Sequence, residues 1–250
     1  MTPRFFCPTP LPENTRICLP EALNHHAVRV LRLKTGSPII LFNGEGGQIK
    51  GTLDIEGKQG FAQLGQHQAI DVELAGRITL VQGMASSDKM DWIVEKAVEL
   101  GACHLVPIAA RRSVLQLSGE RLEKRMAHWQ RIIESASEQC GRNRLMSLSP
   151  VHKLADFLEL HTRQHPEETL LLCHPGAECN LVEALTTAGI PTHTNKVTIL
   201  VGPEGGWSEE ELAQAENYGI TPVRFGERIL RTETAGSALI TAISALCGWI

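Results

Sequence analysis

The stretch VTILVGPEGGWSEEEL, residues 197–212, places a glycine-rich turn directly between a strand and a helix. The run VTILV has the continuous apolar character of a strand that is buried on both faces. Gly202, Gly205 and Gly206 leave the turn without side chains, so a ligand can approach its backbone closely. Taken alone, the stretch fits a plain structural turn equally well.

The start of the following helix argues against a phosphate in this turn. Ser208 and Glu211 have the spacing of a capping box, which satisfies N–H groups that a phosphate would otherwise bind. Glu209 and Glu210 add further negative charge to the first helical turn. The stretch also lacks the P-loop and G-x-G-x-x-G patterns. It therefore favours a ligand that is neutral or cationic at this point.

Two more turns follow predicted strands of the same apolar kind. The strand ETLLLCH runs into Cys-His-Pro-Gly at residues 173–176, and the strand TPVRFG runs into FGERILRTETAG at residues 225–236. Ile229 and Leu230 are apolar loop residues between two arginines, a placement typical of a core plug or a pocket wall. Because sites in parallel α/β sheets lie at the carboxyl ends of strands, we predict that these loops form one pocket.

The order of predicted elements divides the chain into two domains. Residues 1–72 contain short alternating segments with glycine-rich turns between them, which predicts a small β-barrel. Strands and helices alternate through residues 73–250, which predicts an α/β domain with a parallel sheet covered on both faces. We interpret residues 24–36, NHHAVRVLRLKTG, as a short helix that runs into a strand.

The composition is ordinary for a globular protein of 250 residues, with 42 % hydrophobic and 21 % charged residues. The apolar runs are shorter than the roughly 20 residues that span a bilayer, and the N-terminus has no secretory pattern. Seven scattered cysteines without a Cys-x-x-Cys motif predict reduced thiols. We therefore expect a cytoplasmic protein with no membrane segment, disulfide framework or metal site.

Positive charge is concentrated in one segment of an otherwise acidic chain. The net charge is −4, yet residues 111–144 contain eight Lys/Arg residues against four acidic ones. A local basic patch of this kind can engage a polyanion. On this feature alone, a solvated helix face with mixed charge is the favoured interpretation.

Together these motifs resemble the RsmE family of SPOUT-class methyltransferases. The resemblance is carried by Gly-Pro-Glu-Gly-Gly at 202–206 and by Phe-Gly-x-x-Ile-Leu-Arg-Thr-Glu-Thr-Ala at 225–235. KMDWIVEKAVELGA at 89–102, EQCGRNR at 138–144, and HHAVRVLRLKTG and LFNGEGG in the first domain extend it over the whole chain. It implies an α/β parallel sheet with a C-terminal trefoil knot, preceded by a small PUA-like β-barrel domain.

The resemblance also implies the function and the residues of the site. The family methylates N3 of a uridine in 16S rRNA of the small ribosomal subunit, uses S-adenosylmethionine, and is homodimeric with its site near the interface. Three loops, around residues 172–176, 201–206 and 225–231, are expected to hold the methyl donor. The expected contacts are Leu172, His174, Gly176, Leu200, Val201, Gly202, Pro203, Gly205, Gly206, Phe225, Gly226, Ile229, Leu230 and Thr234.

Three residues are candidates for the chemistry. Arg231 is expected to stabilise negative charge on the uracil oxygens. Glu233 or Glu204 is expected to accept the N3 proton or to orient a water, although Glu233 fits a helix cap or a partner of Arg231 equally well. Phosphate contacts are expected from Arg29, Arg32, Lys34, Arg111, Arg112, Arg142 and Arg144.

Other functions stay open at this point. Another SPOUT methyltransferase would act on a ribose 2′-OH or on a tRNA base. A non-catalytic RNA-binding or assembly factor would keep the fold without the reaction. An enzyme acting on nucleotide phosphates is the least compatible with the acidic helix start after Gly206.

Overall fold

The computed structural model describes residues 2–191, 195–220 and 222–250. The chain divides into two compact units. The first comprises the described residues up to Glu73 together with Glu134–Leu145. The second comprises Leu74–Ile133 and the described residues from Met146 onward.

The first unit is built on a five-stranded sheet. Its strands are β1 (Arg4–Phe6), β2 (Arg16–Cys18), β3 (Pro38–Phe42), β4 (Gln48–Glu56) and β5 (Gln59–Gln68). Their spatial order is β1-β3-β4-β5-β2, with β1 parallel to β3 and the other pairs antiparallel. Alternation along β4 buries Ile49 and Leu53 in a core that also contains Phe5 and Leu41, as expected for a sheet with one solvated face.

The segment that follows β2 is helical and then irregular. Helix α1 (Glu21–Asn24) continues as a π-helix over His25–Val30. Arg32 has a φ of 53°, in the left-handed region that an extended strand does not use. The helix predicted at the start of residues 24–36 is confirmed, but the strand predicted to follow it is wrong, because the residues after Val30 form a bend and irregular backbone.

The second unit contains a seven-stranded sheet. Its strands are β6 (Arg77–Gly83), β7 (His104–Ile108), β8 (Ser147–Leu148), β9 (Thr169–Cys173), β10 (Cys179–Asn180), β11 (Lys196–Val201) and β12 (Pro222–Arg224). The spatial order is β10-β12-β9-β11-β6-β7-β8, and all pairs among the described residues are parallel. The predicted parallel sheet is confirmed.

Helices connect these strands. They are α2 (Ser87–Glu99), α3 (Gly119–Cys140), α4 (Leu154–Gln164), α5 (Leu181–Thr187), α6 (Glu209–Asn217) and α7 (Thr232–Leu246). Helix α7 packs on α2, β6 and β11, and its apolar residues Leu239, Ile240 and Ile243 are fully buried. Within the described part of the chain, no helix has both the length and the apolar content of a membrane span.

The strand order brings three carboxyl ends together. β12, β9 and β11 are consecutive neighbours in the sheet, so the loops that follow them emerge at the same edge. The chain leaves β11, forms α6, crosses to β12 on the far side of β9, and returns with α7 to β6 and β11. This return places residues 225–231 against the turn at 202–206.

Candidate active site

A cavity of about 430 Å³ lies where the three loops meet. This volume is within the range of sites that enclose small molecules. Eleven residues predicted for the site line it: His174, Val201, Gly202, Pro203, Glu204, Gly206, Phe225, Gly226, Ile229, Leu230 and Arg231. The prediction that the three loops form one pocket is confirmed.

Six other predicted residues lie outside the lining, judged over the described residues: Leu172, Gly176, Leu200, Gly205, Glu233 and Thr234. Leu172 and Leu200 are fully buried in the apolar core of the sheet, so their side chains stabilise the strands that carry the loops. Gly176 belongs to the first turn, where its N–H donates to Nδ1 of His174 at 3.2 Å.

The lining also includes Cys173, Pro175 and Arg228, which lie in the predicted loops but were not named as contacts, and Trp207, Thr232 and Ala235, which the sequence did not single out. Most of them are immediate neighbours of predicted residues. Burial raises the pKa of the Cys173 thiol to about 11, so it stays protonated at neutral pH and is not a thiolate nucleophile. Trp207 is buried, and its indole N–H has no hydrogen-bond partner among the described residues.

The glycine turn depends on close approaches of backbone. Gly206 has a φ of +68°, which favours glycine, and no atom lies within 4 Å of the position of a Cβ there. A Cβ on Gly83 would lie 2.5 Å from Cδ of Pro203, so a side chain at that position would push the turn away from β6. The turn is therefore held against the neighbouring strand.

Arg112 fixes the outer side of the turn. Its guanidinium donates to the carbonyl oxygens of Gly205 and Trp207, each at 3.2 Å. A Cβ on Gly205 would lie 2.8 Å from Cβ of Arg112. The absent side chain of Gly205 therefore makes room for Arg112, whereas Gly206 leaves space in the cavity itself.

Side chains of the protein accept hydrogen bonds from backbone N–H groups at the start of α6. Ser208 Oγ accepts from the N–H of Glu211 at 3.2 Å, and Glu211 Oε2 accepts from the N–H of Ser208 at 2.8 Å, so the predicted capping box is confirmed. Arg111 pairs with Glu210, and its backbone N–H donates to Glu211. Because these N–H groups already have acceptors, a phosphate has little to bind at this helix start.

A buried amide joins the turn to the final helix. Nε2 of Gln82, near the end of β6, lies 2.9 Å from the Gly83 carbonyl, 3.3 Å from the Gly202 carbonyl and 2.9 Å from Oγ1 of Thr232. Thr232 in turn donates to the Gly202 carbonyl at 2.6 Å. Gln82 is fully buried, so this network sets the position of two cavity loops in a region of low dielectric.

A lysine connects the two acidic candidates. Nζ of Lys89, on α2, lies 3.4 Å from Oε1 of Glu204 and 3.5 Å from Oε2 of Glu233. Glu204 Oε1 also accepts from the backbone N–H of Ser86 at 3.0 Å. Glu233 therefore pairs with Lys89, and Lys89 is a further residue that the sequence did not single out.

Glu204 is a stabilised carboxylate. Burial acts to raise its pKa, but the hydrogen bonds from Ser86 and the positive charge of Lys89 outweigh burial and leave the pKa below its usual value. A carboxylate with a lowered pKa is a weaker base. The geometry therefore argues against Glu204 as a proton acceptor and indicates that it fastens the turn to the start of α2.

Arg231 stands at the rim of the cavity. It is the N-cap residue of α7 and makes no side-chain cap bond. Its side chain is exposed, next to Leu230 and to Ile229, which is 80 % exposed. The Arg231 guanidinium and the apolar side chains of Ile229 and Leu230 thus lie together at the cavity mouth. A flat ring with polar edges could contact both.

The expected phosphate-binding residues differ in accessibility. Arg29, Arg32 and Lys34 are exposed on the first unit, and Arg144 is about half exposed while bonded to Asp71. Arg142 is different, because its side chain is 4 % exposed and pairs with Glu73. This burial argues against a phosphate contact by Arg142, and indicates that it stabilises the fold of the first unit instead.

Comparison with known proteins identifies the family. The family described as RNA methyltransferase domain matches residues 72–244, and the family described as RNA methyltransferase PUA domain matches residues 20–64. A ribosomal RNA small subunit methyltransferase E from Bacillus subtilis is 30 % identical over 224 residues, covering 88 % of this chain and 86 % of the relative. The chain belongs to the ribosomal RNA small subunit methyltransferase E family.

Solved structures of similar proteins agree with this membership. A ribosomal RNA small subunit methyltransferase E from Neisseria gonorrhoeae, bound to S-adenosyl methionine, is 34 % identical, with a TM-score of 0.88 and 98 % coverage of both chains. A Legionella pneumophila protein in complex with SAM is 29 % identical, with a TM-score of 0.89 and the same coverage. The predicted fold class is confirmed: an α/β SPOUT methyltransferase fold with a parallel sheet, preceded by a small PUA-like β domain.

Proposed function

We propose that this protein methylates N3 of a uridine in 16S rRNA of the small ribosomal subunit, with S-adenosylmethionine as the methyl donor. The observation that carries the proposal is the cavity formed by the turn at 202–206 and the loop at 225–231. These are the motifs through which the chain resembles its family, and relatives of the same fold bind this donor.

The cavity suits a donor that combines a flat adenine ring with polar and charged groups. Val201, Pro203, Phe225 and Leu230 supply an apolar wall, and Gly206 leaves open space beside bare backbone. The buried indole N–H of Trp207 is a donor that the described residues leave unsatisfied, and such a group favours a ligand acceptor. When bound, S-adenosylmethionine supplies an electrophilic methyl group on a cationic sulfur, which the closed, acidic start of α6 does not oppose.

The residues at the rim suit the handling of a uracil ring. The ring loses its N3 proton, and Arg231 is placed to stabilise the negative charge that then spreads over the two carbonyl oxygens. Glu233 is our candidate for the proton acceptor, because its Oε2 contacts Lys89 at 3.5 Å but accepts no hydrogen bond among the described residues, whereas Glu204 accepts one from the Ser86 N–H. N3 lies on the Watson–Crick edge, so the target base must be unpaired or flipped out to reach the rim.

The most direct test identifies the modified atom. Purified protein, S-adenosylmethionine and small ribosomal subunits that lack the modification should yield one methylated uridine, and mass spectrometry of the RNA digest should place the methyl on N3. A methyl on ribose 2′-OH or on a tRNA base would replace the proposal with another SPOUT activity. Binding to RNA without binding to S-adenosylmethionine in calorimetry would indicate a non-catalytic factor.

We propose that Arg29, Arg32 and Lys34 bind RNA phosphates from the first unit, because all three are exposed. Reversing all three to glutamate should weaken rRNA binding and reduce its salt dependence, since each lost phosphate contact lowers the slope of log K against log salt by about 0.9. Filter binding at several salt concentrations measures this slope. The matched control reverses three other exposed basic residues, Lys58, Lys153 and Arg163, and a control that weakens binding equally would contradict the assignment.

We propose a cytoplasmic homodimer as the working state. Helix α7 buries one face, while Leu246 and the following Ile250 are 54 % and 84 % exposed. Exposed apolar residues at the end of a buried helix favour a partner surface. Light scattering of the purified protein measures the mass, and a monomer at micromolar concentration would contradict the dimer.

A further inference from the structure

A second cavity, of about 440 Å³, lies at the other end of the parallel sheet. It is enclosed between helix α4 and the amino-terminal ends of β6, β7 and β11. The methyl-donor cavity described above uses the carboxyl ends of the strands, so the two cavities share no lining residue. Nothing in the proposed reaction uses this second space.

The sheet surface in this cavity is polar, which is unusual beneath a helix. Arg77 is the register partner of Lys196, and Thr79 is the register partner of His104. A parallel sheet covered by helices is normally apolar on both faces. Arg77 and Lys196 are exposed at the starts of their strands, whereas Thr79 is buried, so both the mouth and the floor of this cavity carry polar side chains.

Four histidines surround the same space: His104, His152, His161 and His165. His161 is 8 % exposed, and its Nε2 has no hydrogen-bond partner among the described residues. His104 Nε2 lies 2.8 Å from Ser149 Oγ, so its ring is already oriented. A buried ring nitrogen without a partner is costly and favours a ligand that can bond to it.

The charged groups around these rings are mainly positive. Arg77 and Lys196 face the cavity from β6 and β11, and Glu168 is the acidic residue in the lining. One oxygen of Glu168 accepts from the Thr198 hydroxyl at 2.7 Å, and the other lies 3.7 Å from Nε2 of His161. Burial lowers the pKa of both His104 and His161, and Arg77 lowers that of His104 further.

A metal ion is a poorer occupant than an anion. No group of three or more His, Cys, Asp or Glu residues in the described part of the chain is arranged to hold a metal. Two fixed cations, two serine hydroxyls and several imidazoles are instead the usual donors to a tetrahedral oxyanion. The volume leaves space for a small molecule attached to that group.

We infer that this cavity binds the phosphate group of a small phosphomonoester, held by Arg77, Lys196 and the histidines. An entering dianion stabilises the protonated imidazoles, so binding takes up protons and strengthens as the pH falls. We expect the pH dependence to come from His104 and His161, which face Arg77, Lys196, Glu168 and the other two histidines of the lining.

Calorimetry with sulfate and with inorganic phosphate at pH 6 and pH 8, at constant ionic strength, tests the inference. Sulfate is a dianion at both pH values, so a change in its affinity reports on the protein. We expect sulfate to bind several-fold more tightly at pH 6. Absence of binding by both anions, or equal sulfate affinity at both pH values, would overturn the inference.

Single substitutions in the cavity lining test which residues bind the anion. Arg77→Gln and Lys196→Gln should each weaken sulfate binding at least several-fold, and both positions are exposed, so the fold should tolerate them. Arg163→Gln, on the exposed side of α4, is the matched control and should bind sulfate normally. Equal effects of Arg77→Gln and Arg163→Gln would count against the site. If Arg77→Gln also lost rRNA binding, and if sulfate competed with rRNA for the wild-type protein, the cavity would bind an RNA phosphate. Either of the two results alone would leave the small ester as the occupant.

Discussion

Replacing Arg231 with alanine should lower kcat/KM for rRNA methylation by about 10²–10³-fold, the usual effect of removing one donor that stabilises a developing oxyanion. The physical reason is that the Arg231 side chain lies at the cavity rim and makes no helix-cap bond among the described residues. Its guanidinium is therefore available to the uracil oxygens. Binding of S-adenosylmethionine should change little, because apolar residues and backbone form most of the donor wall.

Two variants make this result specific. Arg231→Lys should recover part of the activity, since it keeps the charge but not the planar fork of donors. Arg224→Ala is the control, because Arg224 pairs with Glu227 and lies outside the cavity lining among the described residues. Single-turnover methylation of small subunits measures the rate, and full activity in folded Arg231→Ala would remove this residue from the mechanism.

Replacing Gln82 with leucine should destabilise the protein by about 2–4 kcal/mol, because it removes a shared amide donor from several buried polar groups, and a buried group left unpaired costs about 1–3 kcal/mol. The Gly83 carbonyl and the Thr232 hydroxyl lose their bond to the amide, and the Gly202 carbonyl keeps only the bond from the Thr232 hydroxyl among the described residues. Since two of them belong to the cavity loops, the affinity for S-adenosylmethionine should fall by at least about tenfold, equivalent to about 1.4 kcal/mol.

A double-mutant cycle separates this network from general loss of packing. Thr232→Val also removes the bond between Gln82 and Thr232, together with the bond from Thr232 to the Gly202 carbonyl, so the effects of Gln82→Leu and Thr232→Val on the free energy of unfolding should be less than additive. Thr241→Val is the control, because among the described residues its hydroxyl bonds to the Ser237 carbonyl, one turn earlier on the same helix, and not to the Gln82 network. Equilibrium denaturation and calorimetry measure both effects, and additivity would argue against a shared network.

The sequence was sufficient to predict the parallel sheet and the three loops of the site. Strands such as VTILV are apolar throughout because both of their faces are covered, and this pattern distinguishes them from alternating strands. The capping box at Ser208 and Glu211 was also predictable, because it depends on residues only three positions apart. Local rules of this kind do not require knowledge of the tertiary structure.

The rest of the site depends on contacts between distant residues. Lys89 and Gln82 lie in ordinary helix and strand patterns, and only the fold brings them to Glu204, Glu233 and Thr232. Burial of Arg142 by its pairing with Glu73 was invisible for the same reason. Strands β8 and β10 have two residues each, too few for any periodic signal.

The bond between Gln82 and Thr232 joins residues 150 positions apart. Contacts of this separation require closure of a long loop and form late in folding. During synthesis, β6 and β7 are complete long before Thr232 leaves the ribosome. Until then the cavity lacks the loop at 225–231, which lines it together with the loops after β9 and β11. Small-molecule binding at this cavity therefore begins only once the loop at 225–231 and the start of α7 are in place, so a bound ligand reports that the chain has been synthesised and folded at least as far as Ala235.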